Sequence, residues 1–221
     1  MAILIFPTAG DGQRAQNNLI NNLNANYGVL PSIQNGFCFI LVTEWLIEFL
    51  GHPRNPHDIF LDITGDLPLL RQLSHNFNTY VSDTLTPVII PTAGSRRVRR
   101  DIFLFQKADQ VVTLMSNGTR DVRIEVFERV INPLPPVFNT LNLRSRREGF
   151  LLIFDYRTNG VAHSHAMGMV HMRLRVGDRY YFYDPNAGVY SCSSILDVFH
   201  QAPFNLGADP NSIRVIIFKV R

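Results

Sequence analysis

The sequence predicts an α+β fold in which a central buried helix packs on an antiparallel sheet. Three observations predict it. The longest apolar run, Gly36 to Leu50, is hydrophobic nearly all round, the pattern of a helix inside a core rather than on a surface. Helical spacing dominates the first half of the chain, about 11–82. Strand patterns separated by turn residues dominate the second half, about 100–221, and such segregation marks an α+β chain. The 221 residues suit a single domain with one sizeable core.

Taken in order, residues 3–6 are expected to form a short strand or docked arm. Asp11 to about Tyr27 reads as a polar helix with Leu19, Ile20 and Leu23 as its buried stripe, ended by Gly28. A turn-forming stretch, Pro31 to Gly36, leads into the central helix. Its polar exceptions, Thr43, Glu44 and Glu48, share one side, and Gly51 and Pro53 stop it. At about fourteen residues this run is shorter than the roughly twenty that a bilayer requires. A Pro-containing loop over 52–57 follows, and Leu67 to Val81 has the spacing of a second amphipathic helix.

Between 83 and 145 the pattern is mixed. Val88–Ile90, Ile102–Phe105, Val111–Met115 and Val122–Phe127 have strand or mixed character. Asn117-Gly118 is a turn signal between the last two, and Asn132 to Pro136 is a loop. Three strands are then expected, over Phe150–Tyr156, Ala166–Val176 and Arg179–Tyr183, with a two-residue hairpin at Gly177-Asp178. Ser193 to His200 reads as a short helix started by Ser193 or Ser194, and Ser212 to Val220 as a closing strand.

Composition narrows the class. An apolar fraction of 46% and a charged fraction of 18% describe a folded chain. A net charge of +3 gives no reason to expect a nucleic-acid partner. Two basic groups, Arg96, Arg97, Arg99 and Arg100, and Arg144, Arg146 and Arg147, read as exposed loop charge. The first group is also a candidate self-processing site. Two cysteines are too few for a disulfide scaffold and suit a reducing compartment. The N-terminus lacks a basic n-region and Pro7 interrupts it, so neither a cleavable signal nor a transmembrane helix is expected.

Three stretches carry reactive side chains. Asn35-Gly36-Phe37-Cys38 runs into the buried helix, where unsatisfied N–H groups and the helix dipole favour a thiolate. Ala162 to Gly168, with His163, Ser164 and His165, begins a strand. Tyr183-Asp184-Pro185-Asn186-Ala187-Gly188 ends the next one. A thiol on a helix start, a strand histidine and a carboxylate on the neighbouring strand can serve as nucleophile, base and orienter. The Cys38 backbone N–H would help to hold an oxyanion. Each residue alone is ordinarily structural; their order along a helix-then-sheet chain favours catalysis. The histidines show no metal-binding spacing such as Cys-x-x-Cys or His-Glu-x-x-His, and no cofactor is expected.

The same stretches resemble those of the YopT-type cysteine proteases, bacterial effectors of papain-like fold that include AvrPphB-like proteins. Gly36-Phe-Cys38-Phe-Ile-Leu41 to Trp45 is similar to their Gly-x-Cys-x-x-Leu-x-x-x-Trp segment. His165-Ala-Met-Gly and Tyr181-Phe-Tyr-Asp184-Pro-Asn-x-Gly-Val-Tyr190 are similar to their histidine and aspartate segments. The resemblance directly covers about forty residues and leaves 55–145 unmatched. It implies Cys38 as nucleophile, His165 as base and acid, and Asp184 as orienter. It further implies a monomeric endopeptidase that leaves its cell by a non-classical route and acts in a host cytoplasm. Its substrate would be a host protein such as a kinase or a membrane-associated, prenylated small GTPase.

Two points stay open at this level. The amide that assists the oxyanion in papain-like enzymes could be Gln34 or Asn35, neither at the expected offset. A tight turn at Gly177-Asp178 would place His171 opposite Asp184 and leave His165 six residues away, roughly 20 Å along the strand. The pairing pattern therefore favours His171 and the motif favours His165, unless a bulge or longer loop intervenes over 173–179; His163 shares their strand face. The same triad also serves acyltransferases, deamidases and transglutaminases, and a binding module with a relict triad is a further possibility.

Overall fold

The apolar run forms helix α1 (Phe37–Gly51). The computed structural model describes residues 2–7, 37–52, 54–66, 68–73, 75, 96–130, 141, 143 and 145–221. The sequence-predicted helix at 11–27, the turn at 31–36, the segment 88–90 and the loop at 132–136 lie outside them. Trp45, Leu46, Phe49, Ile40 and Val42 are wholly buried in α1. Thr43 is buried as well, because its Oγ1 donates to the Phe39 carbonyl one turn back at 2.8 Å. At the C-terminal end, Arg120 Nη2 donates to the Leu50 carbonyl at 2.9 Å, a cation placed where the helix dipole is negative.

Glu44 is the residue of α1 that least suits its surroundings. Burial, and then the charge of Glu48 one turn along, push its carboxyl up to about 7 from an ordinary 4.5. A carboxyl raised in the folded state binds its proton more tightly there than in the unfolded chain. Stability is therefore lost as pH rises from about 4.5 to about 7. Glu44→Gln is expected to stabilise the protein by roughly 1–3 kcal/mol at pH 8 and to change nothing at pH 4. Urea unfolding at the two pH values checks this, and an equal effect at both would refute it.

Helix α2 (Pro56–Gly65) starts with Asn55 as N-cap and Pro56 in its first turn. Trp45 Nε1 donates to the Pro56 carbonyl at 2.7 Å and so ties α2 to α1. The amphipathic segment after it is helical over 68–73 and at 75. Helix α3 spans Arg96–Met115 and overturns two expectations. The fragments 102–105 and 111–115 are helical, not extended. Leu104, Phe105, Ala108, Val111, Val112 and Met115 meet the core at helical spacing, and short apolar windows concealed that period. The Arg96–Arg100 group accordingly lies in the first turns of a helix instead of a loop. Asn117 and Gly118, at φ of 52° and 77°, turn the chain from α3 into strand β2 (Val122–Val130) rather than joining two strands.

The sheet has strand order β1-β6-β5-β4-β3-β7-β2, antiparallel throughout the pairs. Its members are β1 (Ala2–Pro7), β2, β3 (Arg147–Thr158), β4 (Val161–Arg173), β5 (Asp178–Asp184), β6 (Gly188–Cys192) and β7 (Arg214–Val220). One face packs α1, α2 and α3 against Leu151, Ala166, Val170, Tyr183 and Phe218. The other packs helix α4 (Ile195–Leu206) against Phe150, Leu152, Met167, Phe182 and Ile217. Ser194 and Asp197 cap α4 reciprocally, and the helix runs on to Leu206, past the expected His200. Arg147 opens β3 with its guanidinium 4.2 Å from the Phe49 ring centroid, so it is a packing residue and not loop charge. Among the described residues no helix is long and apolar enough to cross a membrane.

Two turns set the register of β4. Asn159 and Gly160, at φ of 53° and 80°, make the tight hairpin between β3 and β4, as an Asn-Gly pair with positive φ at both positions should. The connection from β4 to β5 is longer than expected. Arg173 pairs with Asp178, and residues 174–177 form a loop closed by Leu174 N–H donating to the Gly177 carbonyl at 3.0 Å. His171 consequently faces Tyr180, not Asp184, while Gly168 faces Tyr183. The pairing is shifted by four residues from the tight-turn expectation, about 13 Å at strand rise.

Candidate active site

β4 outruns β5. The two strands pair from Arg173–Asp178 to Gly168–Tyr183, where β5 ends at Asp184 and the chain turns into β6. Beyond that point, residues 161–167 of β4 have β3 beside them but no pairing with β5. Cys38, in the first turn of α1, meets β4 in this region. Its thiol is engaged by the His165 imidazole and by the Ala166 backbone N–H. Close approach of α1 to β4 depends on Gly168. A Cβ there would lie 3.0 Å from two ring carbons of Trp45 and 3.2 Å from Val42 Cγ1.

His165 Nε2–H donates to Asp184 Oδ1 at 2.8 Å, leaving Nδ1 for the thiol. Cys38, His165 and Asp184 are all buried, at 8%, 6% and 1% exposure. Burial pushes the Cys38 thiol up, but the charge and hydrogen bond of His165 and the Ala166 N–H outweigh it, so its pKa falls below the ordinary value. Burial pulls His165 down, while Asp184 and Cys38 more than offset that, raising the imidazole to about 10. The two directions favour a coupled thiolate–imidazolium pair over a neutral thiol and imidazole.

Asp184 is held on both oxygens. Oδ1 also accepts from the Asn186 N–H at 2.9 Å, closing an Asx turn. Oδ2 accepts from Asn205 Nδ2 at 2.9 Å. Asn205 Oδ1 in turn accepts from Gln201 Nε2 at 2.8 Å and from the Tyr190 hydroxyl at 3.2 Å. A carboxylate fixed this way keeps the imidazole in one orientation and one tautomer.

The other histidines have different surroundings. His171 is wholly buried, with Nδ1 3.2 Å from Glu148 Oε2. Its Nε2 comes within 3.3 Å of Asp178 Oδ1 without hydrogen-bond geometry. Lys219 Nζ donates to Glu148 Oε1 at 2.5 Å. His163 is exposed and stacks on Tyr156, centroids 5.3 Å apart. The motif's His165 is therefore the histidine beside Cys38 and Asp184, and the longer β4–β5 loop overturns the register that would have set His171 opposite Asp184. Gln34 and Asn35 lie outside the described residues.

No family profile matches the sequence. No curated protein matches it either. Among solved structures, the Pseudomonas avirulence protein AvrPphB superposes with a TM-score of 0.53, covering 90% of this chain and 94% of that one at 16% identity. The fold is that of AvrPphB. The AvrPphB-like architecture is the papain-like, α+β one that the motifs implied, reached with little sequence in common.

On this AvrPphB-like frame two asparagines hold or flank the carboxylate, and neither stands out in the sequence as a partner of Asp184. Asn205 fell beyond the expected end of its helix, and nothing local in Phe-Asn-Leu announces a partner for Asp184. Asn186 was visible within Asp-Pro-Asn, yet only as a turn residue. Its Nδ2 lies 3.5 Å from His165 Nε2, and its Oδ1 is buried with no hydrogen-bond partner among the described residues.

A thiol with a lowered pKa should react early on a pH scale. Iodoacetamide alkylation of Cys38 is expected to vary less than about threefold between pH 6.5 and 9, where an ordinary thiol would gain roughly 75-fold. Cys192 is expected to stay unmodified, since it is buried and its thiol is pushed up to about 12 by burial and by Asp197. Peptide mapping by mass spectrometry separates the two. An ordinary titration at Cys38 would show that no ion pair exists.

Proposed function

We propose that this chain is a cysteine endopeptidase working through an acyl-enzyme. The observation that carries the reading is the Asp184–His165 hydrogen bond of 2.8 Å behind a thiol of lowered pKa on a helix start. The Cys38 thiolate attacks the scissile carbonyl carbon. The oxyanion accepts from backbone N–H groups of the first turn of α1, which no helical carbonyl takes up. His165 passes its Nδ1 proton to the leaving amine as the C–N bond breaks, and a thioester remains. A water then loses a proton to His165, attacks the thioester, and regenerates the thiolate. Asp184 holds the imidazole throughout and balances its positive charge.

The fold likeness to an avirulence protein supports an effector delivered into another cell, there cleaving a host protein. A kinase and a membrane-associated small GTPase remain the substrate classes of choice. The test is incubation of the wild-type chain and Cys38→Ala with a host-cell lysate, followed by N-terminal peptide mapping. New N-termini are expected with wild type alone. Labelling by a peptide epoxide of the broad thiol-protease type should occur at Cys38 and vanish in Cys38→Ala. A substrate mass change of about one dalton or an added amine, without new N-termini, would replace the peptidase with a deamidase or transglutaminase of the same triad chemistry.

A further inference from the structure

Beside the candidate triad lies a groove of about 650 Å³ whose walls are the ends of β3, β4 and β7 with the start of α3. We propose that this groove, through Arg100, Arg157 and Arg214, selects substrate segments carrying acidic residues next to the scissile bond. The proposal rests on the peptidase reading and adds a substrate class to it.

The position of the groove makes it part of the approach to Cys38. Its lining includes His163 and Ser164, the two residues before His165, and Tyr156, which pairs with His163 across β3 and β4. Tyr156 is half-buried. Its hydroxyl is pushed up by burial and then by the negative charges of Asp184 and Cys38, which places the ring within electrostatic reach of both. On this proposal a chain lying in the groove over Tyr156 continues past Ser164 toward His165, the next residue of β4.

The charge of the groove is one-sided. Three guanidinium groups face one carboxylate, Asp155, and that carboxylate is taken up in an ion pair with Arg100. Arg157 and Arg214 are exposed at the wall. Arg214 sits opposite Asp155 in the β3–β7 register, so Asp155 lies between two arginines. Ser164, Ser212 and Asn211 add polar groups along the same wall. Arginine forks match carboxylates in bidentate geometry, and a net positive groove speeds the arrival of acidic segments. The groove's size is that of a short peptide segment. It also gives the Arg96–Arg100 group a place: α3 brings Arg100 to the site wall, in helical backbone poorly suited to being cut.

The test separates binding from chemistry. The Cys38→Ala chain is titrated with fluorescein-labelled hexapeptides that alternate Gly with Glu or Gly with Lys, and affinity is read by fluorescence anisotropy. The Glu peptide is expected to bind about tenfold or more tighter at low salt, with the margin shrinking at high salt. Arg157→Glu combined with Arg214→Glu should erase or invert that margin while thermal unfolding stays near the parent's. Equal affinities, or a margin untouched by the double charge reversal, would overturn the proposal. Tighter binding of an oligodeoxythymidylate of similar charge would overturn it in favour of nucleic acid. In a second arm, the wild-type chain digests a library of proteome-derived peptides, and Asp and Glu are expected to be enriched close to the cuts. Cutting without that enrichment refutes the groove alone. Binding of the Glu peptide with neither cutting nor epoxide labelling of Cys38 refutes the peptidase reading, and the specificity role with it.

Discussion

His165→Ala is expected to lower kcat/KM by about 10³-fold or more while leaving the fold intact. His171→Ala is expected to do the reverse, with activity within about threefold of wild type and a loss of roughly 1–3 kcal/mol of stability. The two histidines share a strand and a face, so the comparison isolates position. His165 bonds Asp184 at 2.8 Å and reaches the Cys38 thiol. Without it, the thiol loses the partner that lowers its pKa, and on the proposed peptidase mechanism the leaving amine loses its proton donor. His171 lies at the far end of the β4–β5 pairing, against Glu148 and Asp178. Removing it leaves Glu148 its bond from Lys219 and a cavity under Tyr180, whose ring centroid is 5.1 Å from the imidazole. Kinetics on a cleaved peptide and urea unfolding of both variants check the prediction. An active His165→Ala, or a folded but inactive His171→Ala, would reverse the roles.

The register between β4 and β5 is also where alternation alone leaves the reading open. Alternation puts His163, His165 and His171 on one face, and a shift of four residues keeps them there. Parity therefore could not distinguish them; only the length of the connecting loop could. Gly177-Asp178 looks like a two-residue turn, but Gly177, at φ of 79°, is the last residue of a loop that begins at Leu174. The tight turn belongs to Asn159-Gly160 instead, a stronger pair chemically, since Asn tolerates the left-handed region that the first turn position requires. The motif singles out the histidine that the structure sets beside Asp184, because the Asp-Pro-Asn turn and the histidine segment meet where β5 ends. Helix α1 was legible because its pattern is extreme. Helix α3 was not, because its apolar stripe is interrupted by Gln106, Lys107, Asp109 and Gln110, and short windows of Phe, Val and Ile resemble strands. Asn205 could not be found from sequence at all. It meets Asp184 across 21 positions, through the packing of α4 on the sheet.

Trp45→Ala is expected to destabilise the protein by about 3–5 kcal/mol, a large share of the 5–15 kcal/mol typical of a domain. Trp45 is wholly buried, stacks on Phe49 at 6.4 Å and meets the Tyr183 ring at 5.3 Å. It also fills the space over Gly168. Trp45→Phe keeps much of that volume and gives up the Nε1 bond to the Pro56 carbonyl, so a loss nearer 1–2 kcal/mol is expected. The consequence for the site follows from the strand order. Tyr183 and Gly168 are the last paired residues before β5 ends, and Asp184 is the next residue along. A cavity at Trp45 therefore loosens the strand end that holds the carboxylate, and with it the His165–Asp184 bond on which the thiolate depends. In Trp45→Ala, at temperatures well below its midpoint, the alkylation plateau of Cys38 should shrink toward an ordinary thiol titration, whereas Trp45→Phe should keep it. A destabilised Trp45→Ala with an unchanged Cys38 profile would mean that α1 supports the fold without positioning the thiol's partners. An altered profile would mean that core packing beneath the site sets the chemistry above it.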